Sequence, residues 1–141
     1  MNYSDENRGT IQYRERAQQI IDFSGIRYGN ITPTDIDGFF EKANKAFVFY
    51  EYKLAGADMP GGQRIALERI VNAIKDANRE AVLFLCVHNH QNPQEDIIAA
   101  QATVERIFWN GKWYNGHGLT VKEQTDKFMS FVESVGDEAD E

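Results

Sequence analysis

The run from Ala46 to Lys53 is apolar and aromatic until it ends in Glu51, Tyr52 and Lys53. Side chains alternate across a strand, so Glu51 and Lys53 project from one face, together with Phe47 and Phe49. A carboxylate and an ammonium closing an apolar strand form either a structural ion pair or the start of a polar centre. Asp35 and Asp37 precede them, sharing a face just ahead of Gly38, Phe39 and Phe40. If the two segments pair through a turn at Lys42–Lys45, Asp37 and Glu51 meet at one end of a sheet. Two carboxylates converging there make a hard-oxygen site suited to Mg²⁺ or Mn²⁺. Such a site polarises a phosphoryl oxygen and supplies hydroxide at neutral pH, and a nearby lysine positions that water or stabilises transition-state charge.

The elements that must position these groups follow from periodicity. Thr10 to Phe23 reads as a helix capped by Thr10, with Tyr13, Ala17, Ile20 and Ile21 on one face. Ile26 to Glu41 holds one or two short strands with a bend. Ala46 to Leu54 is a buried strand, being rich in aromatic and β-branched residues. Gly56 to Gly62 is a loop, and a helix runs from about Gln63 to Asn78. On a helical wheel Ala66, Leu67, Ile70, Ile74 and Ala77 fall within about 60° of Gln63. Gln63 therefore opens the core-facing stripe, and Arg64 lies at its edge. A buried amide needs a partner, for which the Glu51–Lys53 strand end is nearest; a plain structural tie would explain Gln63 equally. Ala81 to Val87 is apolar without alternation, which suits a central strand covered on both faces. Pro93 to Ala102 reads as helical, and Thr103 to Tyr114 as a hairpin turning at Asn110–Gly111. Thr120 and Glu123 form a capping box for a last helix reaching about Val132.

Ile36-Asp37-Gly38, then Glu51-Tyr52-Lys53 on an apolar strand, then Gln63 opening a helix, together resemble the PD-(D/E)XK nuclease superfamily. That superfamily includes restriction endonucleases and Holliday-junction resolvases. The resemblance covers roughly residues 10–88. It implies an α/β fold with a restriction-endonuclease-like αβββαβ core and mixed sheet, followed here by a C-terminal helix, hairpin and helix. It also implies Asp37 and Glu51 as ligands of Mg²⁺ or Mn²⁺, Lys53 as the catalytic lysine and Gln63 as an active-site amide. Asp35 is an alternate ligand. Many members place a further glutamate on the first helix, but Glu15 points away from the apolar face of Thr10–Phe23. One metal is thus the simpler expectation. Small stand-alone domains of this kind are carried by phages and mobile elements and commonly act as dimers.

Other signals carry less. His88-Asn89-His90 reads as a polar loop after the central strand, and Cys86 as a core residue. With His117 they match no tetrahedral zinc spacing. Met59 to Gly62 reads as an ordinary turn, which under the nuclease reading lies where a phosphate would approach. Phe108, Trp109, Trp113 and Tyr114 read as cross-strand contacts before base-stacking surfaces. Arg27, Arg64, Arg69 and Lys112 could contact phosphate, but each reads first as a solvated surface charge.

Composition sets the frame. A chain of 141 residues, 42% hydrophobic, suits one globular domain over residues 1–134 with an acidic tail at 135–141. No run approaches the roughly 18 apolar residues of a membrane span, and the polar start is no signal peptide. A single cysteine fits a reducing, cytoplasmic setting. The formal charge is −7, and the tail from Glu133 onward holds five carboxylates and no Lys or Arg. The rest still lacks the basic excess of a strong DNA binder. Two functions therefore stand as expectations. One is a nuclease hydrolysing branched or duplex DNA, weak at high salt or recruited by a protein partner. The other is a catalytically silent nuclease-like fold that binds nucleic acid or protein.

Overall fold

The computed structural model describes residues 9–139. The polar start up to Arg8, and Asp140 and Glu141, lie outside the described residues. Residues 10–134 read from sequence as one unit, but the chain divides into two, Met1–Asp35 and Ile36–Glu141.

In the first unit the helix expected over Thr10–Phe23 shrinks to α1, Arg14–Ala17. Its apolar positions find nothing to cover: Tyr13, Ile20 and Ile21 are 56%, 76% and 81% exposed. Propensity without a packing surface does not sustain a helix. The strand pairing expected from Ile26 onward reduces to one bridge between Tyr28 and Ile31 in this unit.

The second unit is an α/β domain around a five-stranded mixed sheet whose spatial order follows the chain. Its elements are β1 (Gly38–Lys42), β2 (Ala46–Leu54), α2 (Gly61–Asp76), β3 (Glu80–His88), β4 (Thr103–Trp109), β5 (Lys112–Asn115) and α3 (Val121–Ala139). Only β2 and β3 pair in parallel; the other three pairings are antiparallel. Among the described residues two strands, not three, precede α2. The helix expected over Pro93–Ala102 is a single 3₁₀ turn, Ala99–Gln101. The Asn92 side chain accepts the Gln94 amide at 2.9 Å at the start of this segment.

The two faces of β2 define the core. Ala46 and Val48 pack with Val82, Phe84 and Cys86 of β3 and with Val121, Phe128 and Val132 of α3. Phe49 packs with Ala81 and Leu83, with Phe108 of β4, and with Leu67 and Val71 of α2. The buried stripe of α2 runs through Leu67 and Val71, while Ile70, expected inside, is 37% exposed. β3 is the middle strand, and Ala81 to Cys86 are all buried, as its unbroken apolar run requires.

Turn chemistry sets the registers. Ala43 and Asn44 both have positive φ between β1 and β2, and Asn110 and Gly111 between β4 and β5, as the mirror-image hairpin turns demand. Thr120 and Glu123 form the reciprocal cap of α3: the Glu123 amide donates to Thr120 Oγ1 (3.2 Å) and the Thr120 amide to Glu123 Oε1 (3.1 Å). α3 then continues past the expected end at Val132 to Ala139. Among the described residues no helix is long and apolar enough to cross a membrane.

Candidate active site

Glu51 stands near the C-terminal end of β2, on the face that packs against α2. It is 4% exposed. A buried carboxylate is costly unless its oxygens accept hydrogen bonds, and both do. Gln63 Nε2 donates to Oε2 at 2.6 Å, and the Asp37 backbone amide donates to Oε1 at 3.2 Å.

The partners arrive by simple routes. The β1–β2 register pairs Gly38 with Tyr50, so Asp37 sits one residue beyond the ladder, opposite Glu51. There its carboxylate takes over from the missing strand, and Oδ2 accepts the Tyr52 amide at 2.8 Å. A Cβ on Gly38 would lie 3.3 Å from Tyr50 Cβ, so glycine at this position lets the two strands close without crowding. Gln63 lies in the first turn of α2, on the side that faces the sheet. The wheel placement therefore holds: its amide reaches Glu51.

Lys53 projects from the same face two residues further on. Its side chain is only 15% exposed. Nζ donates to the Ala57 carbonyl at 2.6 Å and pairs with Glu105 Oε1 at 3.2 Å. Asp37, Glu51 and Gln63 are thus directly bonded, and Lys53 is held beside them by other groups.

Glu105 is the residue that the reading from sequence missed. The β3–β4 ladder shifts register between Leu85 and Cys86. Arg106 pairs with Leu85 and Val104 with Cys86, so Glu105 is the extra residue of a bulge. The signal was present in Val104-Glu105-Arg106-Ile107: Val104 and Ile107, three apart, both pack into the α3-side core. A regular strand would put them on opposite faces, and an inserted residue restores the match.

The remaining predicted residues are described each within its own unit. Asp35 and Arg27 belong to the first unit, where Arg27 Nε donates to the Gly29 carbonyl at 2.9 Å. Glu15 lies in α1 of that unit. Arg64, on the exposed side of α2, pairs with Glu68 one turn on at 3.2 Å. The hairpin aromatics are packing groups: Phe108 and Trp113 stack at 5.2 Å, and Trp109 meets Phe131 edge-on at 5.6 Å.

On the opposite face of β2 burial keeps side chains neutral. Desolvation pushes the Cys86 thiol up to about 12, with smaller contributions from the Asp37 and Glu51 charges. It likewise raises the Tyr52 and Tyr50 phenols. Cys86 is a core residue and no nucleophile.

The donor set can be weighed against a divalent ion. Asp37 and Glu51 supply hard carboxylate oxygens. Mg²⁺ needs only one or two protein carboxylates and retains several waters. Among the described residues no group of three or more His, Cys, Asp or Glu side chains is placed to hold a metal. Carboxylate oxygens are the ligand type Mg²⁺ and Mn²⁺ take, whereas a closed structural zinc centre is built from thiolates and imidazoles. No protein-family model matches this chain, and no curated protein or solved structure matches it either.

Proposed function

We propose that this chain is a Mg²⁺- or Mn²⁺-dependent nuclease that hydrolyses DNA phosphodiester bonds, built on a restriction-endonuclease-like core of the PD-(D/E)XK type. The observation that carries this reading is the buried Glu51 carboxylate, tied to Gln63 and to the Asp37 backbone at one strand end.

In this reading Asp37 and Glu51 hold the metal, which when bound polarises a phosphoryl oxygen and lowers the pKa of its water. Gln63 fixes the orientation of Glu51. Lys53, released from the Ala57 carbonyl or sharing its protons with it, orients the attacking water and offsets charge on the phosphoryl oxygens. The first turn of α2 has Pro60 at its cap, with no side chain bonded to its amides. Gly61 and Gly62 open that turn with no atom within 4 Å of where a Cβ would sit. The amides can therefore meet a backbone phosphate beside the carboxylates. Arg64, on the exposed side of α2, enters as a phosphate contact. The acidic balance points to recruitment by a protein partner or a second copy.

One observation favours the silent alternative, a nuclease-like fold that binds without turnover. The Lys53 ammonium is already paired with Glu105 and bonded to Ala57. The test is incubation of the purified chain with linear, branched and single-stranded DNA and Mg²⁺ or Mn²⁺, beside Glu51→Gln and Lys53→Ala variants. Metal-dependent cleavage lost in both variants is the expected result. DNA binding without cleavage by the parent selects the silent fold, and equal cleavage by the variants overturns both roles.

A further inference from the structure

A cavity of about 250 Å³ opens just beyond the end of β3. It is lined by His88, Asn89, His90, Ile97, Ile98 and Gln101, with Asp96 as its one carboxylate. It lies at the C-terminal end of the parallel pair, where open α/β sheets bind ligands. It shares a sheet end with the candidate active site, although Asp37, Glu51, Lys53 and Gln63 do not line it. His88 pairs in register with Leu54, one residue past Lys53, and the His88 carbonyl accepts the Ala55 amide at 2.8 Å. The far side of the loop is anchored to the same strand, because the Tyr52 hydroxyl donates to the Ala99 carbonyl at 3.2 Å.

The lining is specific in kind. Among the described residues around it there is no lysine or arginine. With a carboxylate present and no fixed cation, a phosphate is repelled. An uncharged planar heterocycle is suited instead: imidazoles offer faces for stacking and amides offer paired donors and acceptors for base edges. The His88 and His90 rings lie 5.8 Å apart, 34° from parallel, and His90 Nδ1 is held by Glu95 at 2.9 Å. Ile98, 60% exposed, adds apolar surface that nothing in the fold explains.

We infer that this cavity is a subsite for an unpaired base of the nucleic acid, so that the nuclease acts beside a single-stranded segment, a flap or an overhang. The inference takes its role from the nuclease reading, but binding is measured without catalysis. Fluorescence anisotropy in EDTA compares a labelled single strand, a duplex with a single-stranded overhang and a blunt duplex of equal length. The parent binds the first two more tightly. Asn89→Ala/Gln101→Ala, both exposed positions, and separately His88→Ala weaken those two by about tenfold and leave the blunt duplex unchanged. Because no cation lines the cavity, the affinity ratio between parent and variant stays constant as salt rises, whereas the phosphate-dependent part falls. Circular dichroism melting confirms that each variant is folded; if His88→Ala is not, the surface pair alone decides. Equal binding of single-stranded and blunt probes, or unchanged single-strand binding by the surface pair, overturns the subsite. So does tighter saturation by a free deoxynucleoside than by the oligonucleotide. Loss of cleavage in the parent with overhang preference intact overturns the nuclease and leaves the subsite standing.

Discussion

The two faces of β2 are built from one sequence by opposite rules. The even-numbered face, against α3, buries Ala46 and Val48 and half-buries Tyr50 and Tyr52, whose phenols desolvation pushes up. The odd-numbered face starts the same way, with Phe47 and Phe49 against α2. It then turns polar at Glu51 and Lys53, each of which is held by donors or acceptors of its own. What separates them is the kind of group: phenols and a thiol, neutral near pH 7, on one face, and a carboxylate and an ammonium that need partners to leave water on the other. The second arrangement contributes little to stability and is the costly way to finish a strand. Its presence on only one face is what sets that end of the sheet apart.

The comparison can be broken by substitution. The largest effect belongs to the α3 side: Phe84, 1% exposed, should cost about 3–5 kcal/mol as Phe84→Ala, read by urea unfolding. Next comes Lys53→Ala, which should slow DNA cleavage by about 10²–10³-fold with far less change in stability. Similar fractional losses of activity and stability in that variant would make Lys53 a structural group. Glu51→Ala leaves the Gln63 amide and the Asp37 N–H without their acceptor, so thermal melting should show a loss of about 1–3 kcal/mol. On the other face Tyr50→Phe removes one bond to Thr125 and should cost about 1 kcal/mol with the cleavage rate unchanged.

The smallest effect is pH dependence. The folded-state value of Cys86 lies near 12, above its ordinary 9.0. The folded state therefore holds the thiol proton more tightly than the unfolded state. That contribution is complete below pH 9.0 and is lost as pH rises toward about 12. Alkaline titration of the melting temperature should fall over this window, and less steeply for Cys86→Ala. A thiol reagent should fail to label the folded parent near neutral pH.

Much of this was legible in the residues. The bounds of β2, the unbroken core strand β3, the Asn110–Gly111 hairpin and the Thr120–Glu123 cap are local patterns, and each formed where expected. The pairing of Asp37 with Glu51 followed from a short turn, and Gln63 from a wheel. The failures are non-local. Tyr13, Ile20 and Ile21 have helical spacing, but no sequence window shows that nothing covers them. Glu105 reaches Lys53 only because a bulge in β4 re-aims it, and that depends on the register against β3. Pro93–Ala102 keeps only the 3₁₀ turn Ala99–Gln101, whose residues are all exposed and have no apolar face to bury.

The order of strands in space, identical to their order in the chain, bears on how the domain forms. Each strand pairs with its sequence neighbour. Two of the four pairings close through tight hairpin turns, and the longest sequence gap any pairing must bridge is the α2 crossover between β2 and β3. Mean sequence separation is therefore low for a domain with this much sheet, and little loop entropy is lost before contacts reward it. Ile36–Glu141 should collapse in milliseconds, by zipping outward from the β2–α2–β3 crossover, well ahead of sandwich domains whose strands must find distant partners.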